Sequence, residues 1–130
     1  MKVSKMVKKE VIDADTPKAG PYSHAIKAGN LIFVSGQGPA PGTTDIVEQT
    51  KTAFGNIKTI LEAAGAKVSK IIKVTVYLKN IDDFKKMNRA YKNFFKENGV
   101  IEKFPARTTV EVSNLPVETM LIEIDAIASI

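Results

Sequence analysis

Met120-Leu121-Ile122-Glu123-Ile124-Asp125-Ala126-Ile127-Ala128 places Met120, Ile122, Ile124, Ala126 and Ala128 on one face and Leu121, Glu123, Asp125 and Ile127 on the other. Extended chain points successive side chains to opposite faces, so this stretch reads as a strand with one apolar face and one charged face. Arg107 to Ser113 divides the same way, with Val110 and Val112 opposite Arg107, Thr109 and Glu111. Strands of this kind need a covering layer on one side only, and the preceding sequence supplies it.

From Asp45, Ile46, Val47, Thr50, Ala53, Phe54, Ile57, Ile60, Leu61 and Ala64 recur every three to four residues, the period of an amphipathic helix. Asp45 and Glu48 have the spacing of a capping pair, and Gly65 suits a left-handed stop. A second helix starts near Asp82, places Phe84, Met87, Tyr91, Phe94 and Phe95 on one stripe, and ends at Asn98-Gly99. Between the two helices, Ile72, Val74, Val76 and Leu78 alternate with Ile71, Lys73, Thr75 and Tyr77 in a strand that reads as central. Ahead of the first helix, runs on either side of Gly29-Asn30 read as a β-hairpin. Its second run, Leu31 to Val34, is apolar on both faces, which calls for cover on both, the second from another chain. The order β-β-α-β-α-β-β specifies an α+β class, a mixed β-sheet with two helices packed on one face.

The chain has 130 residues, 44% apolar and 25% charged. That length suits a single domain over 1–130 and buries roughly two-thirds of the unfolded surface. It has no Cys and one His, which excludes disulfide frameworks, thiol nucleophiles and multi-histidine metal sites. Such usage fits a reducing, cytoplasmic setting. The longest uncharged run, Ala28 to Thr44, is punctuated by glycine and proline and does not read as a membrane helix. Lys2, Lys5, Lys8 and Lys9 against Glu10 put +3 of the formal +5 into residues 1–10, which read as a basic N-terminal extension, a solvated terminus without secretory-signal features.

Several motifs fail on inspection. Gly36-Gln37-Gly38 is followed by Pro39-Ala40-Pro41 where a dinucleotide loop needs a glycine and a helix start. Val34-Ser35-Gly36 lacks the glycine two residues before the serine that a nucleophile elbow requires. His24 reads as a packed or surface residue sharing a strand face with Tyr22. Arg107 stands out, because Pro105 stiffens its approach and a planar guanidinium can hold both oxygens of a carboxylate. This reading sets Glu123 on the neighbouring strand and on the same charged side, able to activate water as a general base. An Arg107–Glu123 ion pair bracing the sheet is the plainer alternative. Asn88, in the helical series Phe84, Asn88, Tyr91, Phe95, puts an amide at the edge of an apolar stripe, where it needs a partner. Tyr22 offers a ring and a phenol, and serves equally well as core.

Together, Gly20-Pro21-Tyr22-Ser23, Gly29-Asn30-Leu31-Ile32-Phe33-Val34-Ser35-Gly36-Gln37, Val74-Thr75-Val76-Tyr77-Leu78, Asp82-Asp83-Phe84 with Asn88, Phe104-Pro105-Ala106-Arg107-Thr108-Thr109-Val110-Glu111-Val112, Leu115-Pro116 and Ile122-Glu123-Ile124-Asp125-Ala126-Ile127-Ala128 resemble the RidA (YjgF/YER057c/UK114) family of imine deaminases. The resemblance runs from about Thr16 to Ala128. It implies a chorismate-mutase-like fold and a homotrimer with the sheets forming a central barrel and the sites between subunits. It also implies hydrolysis of 2-imino acids, such as 2-iminopropanoate and 2-iminobutanoate, to 2-oxo acids and ammonia, with no cofactor and no metal. By position, Arg107 looks like the carboxylate-binding arginine and Glu123 like the group that positions or activates water. Tyr22, Ser35, Gly36, Asn88 and Thr109 match further pocket positions.

Three departures accompany this resemblance. Pro39 to Thr44 is shorter than the corresponding family segment, Thr109 stands where a cysteine is common, and His24 stands where glutamine is frequent. Two competing readings are a non-catalytic trimeric metabolite-binding or regulatory protein, and an endoribonuclease or translation inhibitor that draws on the basic terminus.

Overall fold

The computed structural model describes residues 6–130. Six strands form one sheet: β1 (Lys9–Ile12), β2 (Ala25–Ala28), β3 (Leu31–Gln37), β4 (Ile71–Leu78), β5 (Ala106–Glu111) and β6 (Ile122–Ser129). Helices α1 (Ile46–Ala63) and α2 (Phe84–Glu97) pack against it. The spatial order is β1-β2-β3-β6-β4-β5, and every neighbouring pair is antiparallel except β4 and β5, which α2 connects in parallel. The expected mixed sheet with both helices on one face is therefore present.

Local chemistry explains the boundaries. Gly29 takes φ +61° in the turn that pairs Ala28 with Leu31, a conformation costly for other L-residues. Asp45 accepts a hydrogen bond from the Glu48 amide at 3.0 Å and so satisfies one free donor at the start of α1. The interior lies between helices and sheet, where Phe54, Ile57, Ile60, Met87 and Phe95 meet Ile32, Val74, Val76, Ile122 and Ile124, all fully buried. Each large apolar side chain contributes roughly 1.5–3 kcal/mol by leaving water. Gln49, also buried, accepts from the Leu121 amide at 2.7 Å and donates to the Thr43 and Thr119 carbonyls. Its amide is satisfied at both ends and ties α1 to the segment entering β6.

Two features depart from the sequence reading. First, the sheet starts inside the basic lead-in, because Lys9 to Ile12 pair with Ala25 to Ala28 as an edge strand. The part of that lead-in at residues 1–5, with Lys2 and Lys5, lies outside the described residues. Second, β5 faces the opposite way. Arg107 and Thr109 pair with the buried Val74 and Val76, so they point to the helix layer, while Val110 pairs with Tyr77 on the open face. The open side of β3 agrees with the sequence reading, since only one face of the strand is covered within the chain. Ile32 and Val34 are buried, but Leu31 and Phe33 remain 36% and 41% exposed, with Val11 and Val110 on the same open face. Charge is also distributed differently from the end-weighted count. Helix α2 exposes Lys85, Lys86, Arg89, Lys92 and Lys96 against Glu97 alone.

Candidate active site

The strand order separates the two residues on which the sequence reading centred. β4 lies between β5 and β6, so Arg107 and Glu123 are two strands apart, about 10 Å in the sheet plane. They also occupy opposite faces, since Arg107 pairs with Val74 while Glu123 pairs with Tyr77. The expectation of a shared charged side is corrected, and with it an intrachain ion pair. The candidate residues fall instead into two groups.

The first group lies between α2 and β5. The Arg107 guanidinium carbon sits 4.7 Å from the centre of the Tyr91 ring and 5.6 Å from that of Phe84, and Nη1 is 4.0 Å from the Met87 sulfur. No carboxylate neutralises it; the one ion pair among the described residues joins Lys51 and Glu48. A half-buried cation held by π faces and a thioether keeps its capacity to attract an anion. Asn88 Oδ1, Tyr91 Oη and Thr109 Oγ1, all near this arginine in the fold, are buried without a hydrogen-bond partner. Buried polar groups are normally paired, so the Asn88 and Thr109 oxygens, on facing elements, mark a place suited to a polar occupant.

The second group lies on the open face around β3 and β6. The register between these strands shifts between Val34 and Gln37, so Ser35 and Gly36 form a bulge, a feature that re-aims side chains. A Cβ at Gly36 would overlap the Glu123 carboxylate, which shows how closely the backbone and that side chain approach. Ser35 donates to the Ser23 carbonyl at 2.6 Å, and its amide donates to the His24 carbonyl at 3.0 Å. Those bonds hold the segment bearing Tyr22, whose Oη accepts from the Ala19 amide at 3.0 Å while the side chain stays 41% exposed.

His24 precedes β2 and does not share a strand face with Tyr22; it is buried at 4% exposure. Its Nε2 donates to the Thr16 carbonyl at 2.6 Å and its Nδ1 accepts from the Ala14 amide at 3.2 Å, which requires the neutral ring. This histidine fastens a loop, in accord with its reading as a packed residue.

Burial raises the pKa of Glu123 above the usual carboxylate range, and the nearby negative charge of Asp125 adds to the effect. Asp125 in turn accepts a hydrogen bond from Tyr77 at 3.0 Å, and burial followed by this carboxylate raises the Tyr77 pKa. Tyr77, Tyr91, Phe84, Met87 and Asp125 were not singled out by sequence as site residues. Helical spacing identified the α2 members only as core, and nothing local indicates that the guanidinium reaches them.

A sheet backed by two helices, with a bulge beside a half-buried glutamate and an uncompensated arginine on the edge strand, defines a class. The chain belongs to the RidA (YjgF/YER057c/UK114) family, and the family model described as Endoribonuclease L-PSP matches residues 13–130. Among its relatives, a RutC family protein of Pyrococcus abyssi is 50% identical over 95% of this chain and 98% of its own length. The 2-iminobutanoate/2-iminopropanoate deaminase of Escherichia coli K12 is 41% identical over 92% of this chain and 96% of its own. The crystal structure of the YjgF gene product of E. coli superposes with a TM-score of 0.85 at 41% identity, covering 92% of this chain and 98% of that one.

Proposed function

We propose that this chain hydrolyses small 2-imino acids, 2-iminopropanoate and 2-iminobutanoate among them, to 2-oxo acids and ammonia. The observation that carries the reading is the half-buried Arg107 with no carboxylate partner among the described residues, which fits the carboxylate such substrates share. The E. coli relative named for this deamination supports the choice of reaction. The working unit is a homotrimer whose open sheet faces meet in a central barrel, burying Leu31, Phe33 and Val110. In the clefts between subunits, at the edge strand, the Arg107, Asn88 and Thr109 group of one chain meets the Tyr22, Ser35, Gly36 and Glu123 group of its neighbour.

The chemistry needs a carboxylate anchor, a positioned water and a group to accept its proton. With the substrate carboxylate on Arg107, water adds to the imine carbon while Glu123 takes a proton from it. Glu123 returns that proton to the imine nitrogen, giving a carbinolamine and the free carboxylate again. Glu123 then carries the hydroxyl proton to the amine as the C–N bond breaks, which forms the 2-oxo acid and releases ammonia. Imines generated in situ by an amino-acid oxidase should lose ammonia faster with the protein present than without it. Equal rates, with the protein binding 2-oxo acids, would favour the metabolite-binding alternative instead. The cationic face of α2 suits attraction of a polyanion, but Arg107 and Glu123 take no part in that arrangement.

Two further results are expected. Gly36→Ala adds a methyl group where the Glu123 carboxylate now lies, and a flexible side-chain end can yield, so the fold should survive with a Tm change of a few degrees. Displacing the general base should still lower kcat at least about tenfold, reading the loss as a misplaced proton acceptor. The pH profile should also report the raised Glu123 pKa. The ionised form is the one that works, so kcat/KM should fall with decreasing pH at values above the ordinary glutamate range of about 4.3. Asp125→Asn removes the like charge and should move that fall to lower pH. An unmoved acid limb would detach Glu123 from the rate.

A further inference from the structure

Arg107 is held without an anion, and the manner of its support points to another residue. The guanidinium lies 4.7 Å from the Tyr91 ring centre, closer than to Phe84 at 5.6 Å, and it makes no ion pair among the described residues. Tyr91 is itself fixed, 6% exposed, by an edge contact to Phe54 at 5.3 Å and a tilted contact to Phe95 at 4.8 Å. We propose that Tyr91 is a positioning residue for carboxylate binding: its ring face fixes the Arg107 guanidinium without neutralising it. The inference rests on the reading of Arg107 as the carboxylate anchor.

A carboxylate in place of Tyr91 would fix the arginine equally well, but it would satisfy the same donors that an incoming acid must use. An aromatic face attracts the cation through its quadrupole and leaves the N–H fork in the guanidinium plane free. Tyr91 has to remain neutral for this to hold. Burial pushes its hydroxyl up to about 12, with the Arg107 charge acting in the opposite direction, so no phenolate competes near neutral pH. The hydroxyl finds no hydrogen bond among the described residues. Replacing Tyr91 with phenylalanine therefore removes no internal partner, and the ring alone carries the role.

The experiment measures binding of 2-oxobutanoate to the full chain by calorimetry, beside kcat and KM for the imine. Tyr91→Phe should bind within about twofold of the parent with equal or higher Tm, since an unpaired buried hydroxyl is costly. Tyr91→Leu should bind about tenfold more weakly, the loss falling on KM and not on kcat. Should Tyr91→Leu fail to fold, a series of phenylalanine, 4-fluoro-, 3,5-difluoro- and 3,4,5-trifluorophenylalanine at position 91 retains the ring shape while draining its quadrupole. Affinity should then fall with each fluorine. Equal affinity across that series, or Tyr91→Phe as weak as Tyr91→Leu, overturns the ring's role. A parent protein that binds no 2-oxo acid would instead overturn the underlying reading of Arg107.

Discussion

Arg107→Ala should lower kcat/KM for 2-imino acids about 10³-fold while leaving the fold intact. Losing one partner of a desolvated, hydrogen-bonded charge pair costs about 2–5 kcal/mol, and about 4 kcal/mol corresponds to that factor. The stability effect is small for a separate reason: Arg107 makes no ion pair among the described residues, and its contacts are ring faces and a sulfur that can close together. Arg107→Lys sharpens the result. Lysine retains the positive charge but not the planar fork, so it should recover only part of the loss, chiefly as a raised KM. Steady-state kinetics of the three proteins, with thermal melts alongside, make the comparison. Imine hydrolysis by Arg107→Ala at the parent's rate would remove the carboxylate clamp from the mechanism.

Much of the fold was legible locally, because helices and strands impose different hydrophobic periods. α1 lies where the three-to-four spacing from Ile46 places it, with Asp45 capping it as the Asp45–Glu48 spacing suggests. What local pattern does not contain is the identity of a strand's neighbours. In β5, Arg107, Thr109 and Glu111 oppose Thr108, Val110 and Val112, and two valines drew the apolar side to the wrong face. Only pairing with Val74 and Val76 reveals that the arginine faces α2. Edge strands tolerate such ambiguity because their burial is incomplete on both faces. The missed β1 has the same origin: Lys9, Glu10 and Val11 are all exposed, so alternation left little trace.

The candidate site shows the same division. Residue types and motif order marked Tyr22, Ser35, Gly36, Asn88, Arg107, Thr109 and Glu123, but not their grouping. Ser35, Gly36 and Glu123 come together through a bulge, a register feature between strands distant in sequence. Arg107 joins Tyr91 and Met87 because a parallel crossover lays α2 over β5. Charge followed suit, since counting along the chain weighted the terminus while helical geometry gathers Lys85, Arg89, Lys92 and Lys96 along one exposed stripe.

Mixing two inactive variants should restore activity. In the proposed mechanism Arg107→Ala lacks the carboxylate anchor and Glu123→Gln lacks the base, and within one chain these residues lie on opposite faces of the sheet. The proposed site, completed by neighbouring chains, takes Arg107 from one subunit and Glu123 from the next. When both variants are unfolded together, refolded and reassembled at equal concentration, each chain contributes one intact group. A given site is whole when the chain supplying Arg107 carries Glu123→Gln and the chain supplying Glu123 carries Arg107→Ala. In a cyclic trimer with random assembly that happens for about one-quarter of sites, so the mixture should reach about one-quarter of the parent rate from components near zero. The gain should appear only after subunit exchange, and the refolded variants taken separately should stay inactive. A mixture that remains inactive although mixed trimers are present, as mass spectrometry of the intact assembly would show, places both groups within one chain's site. That result would require the sheet to bring Glu123 and Arg107 together by a route that the order β6-β4-β5 forbids.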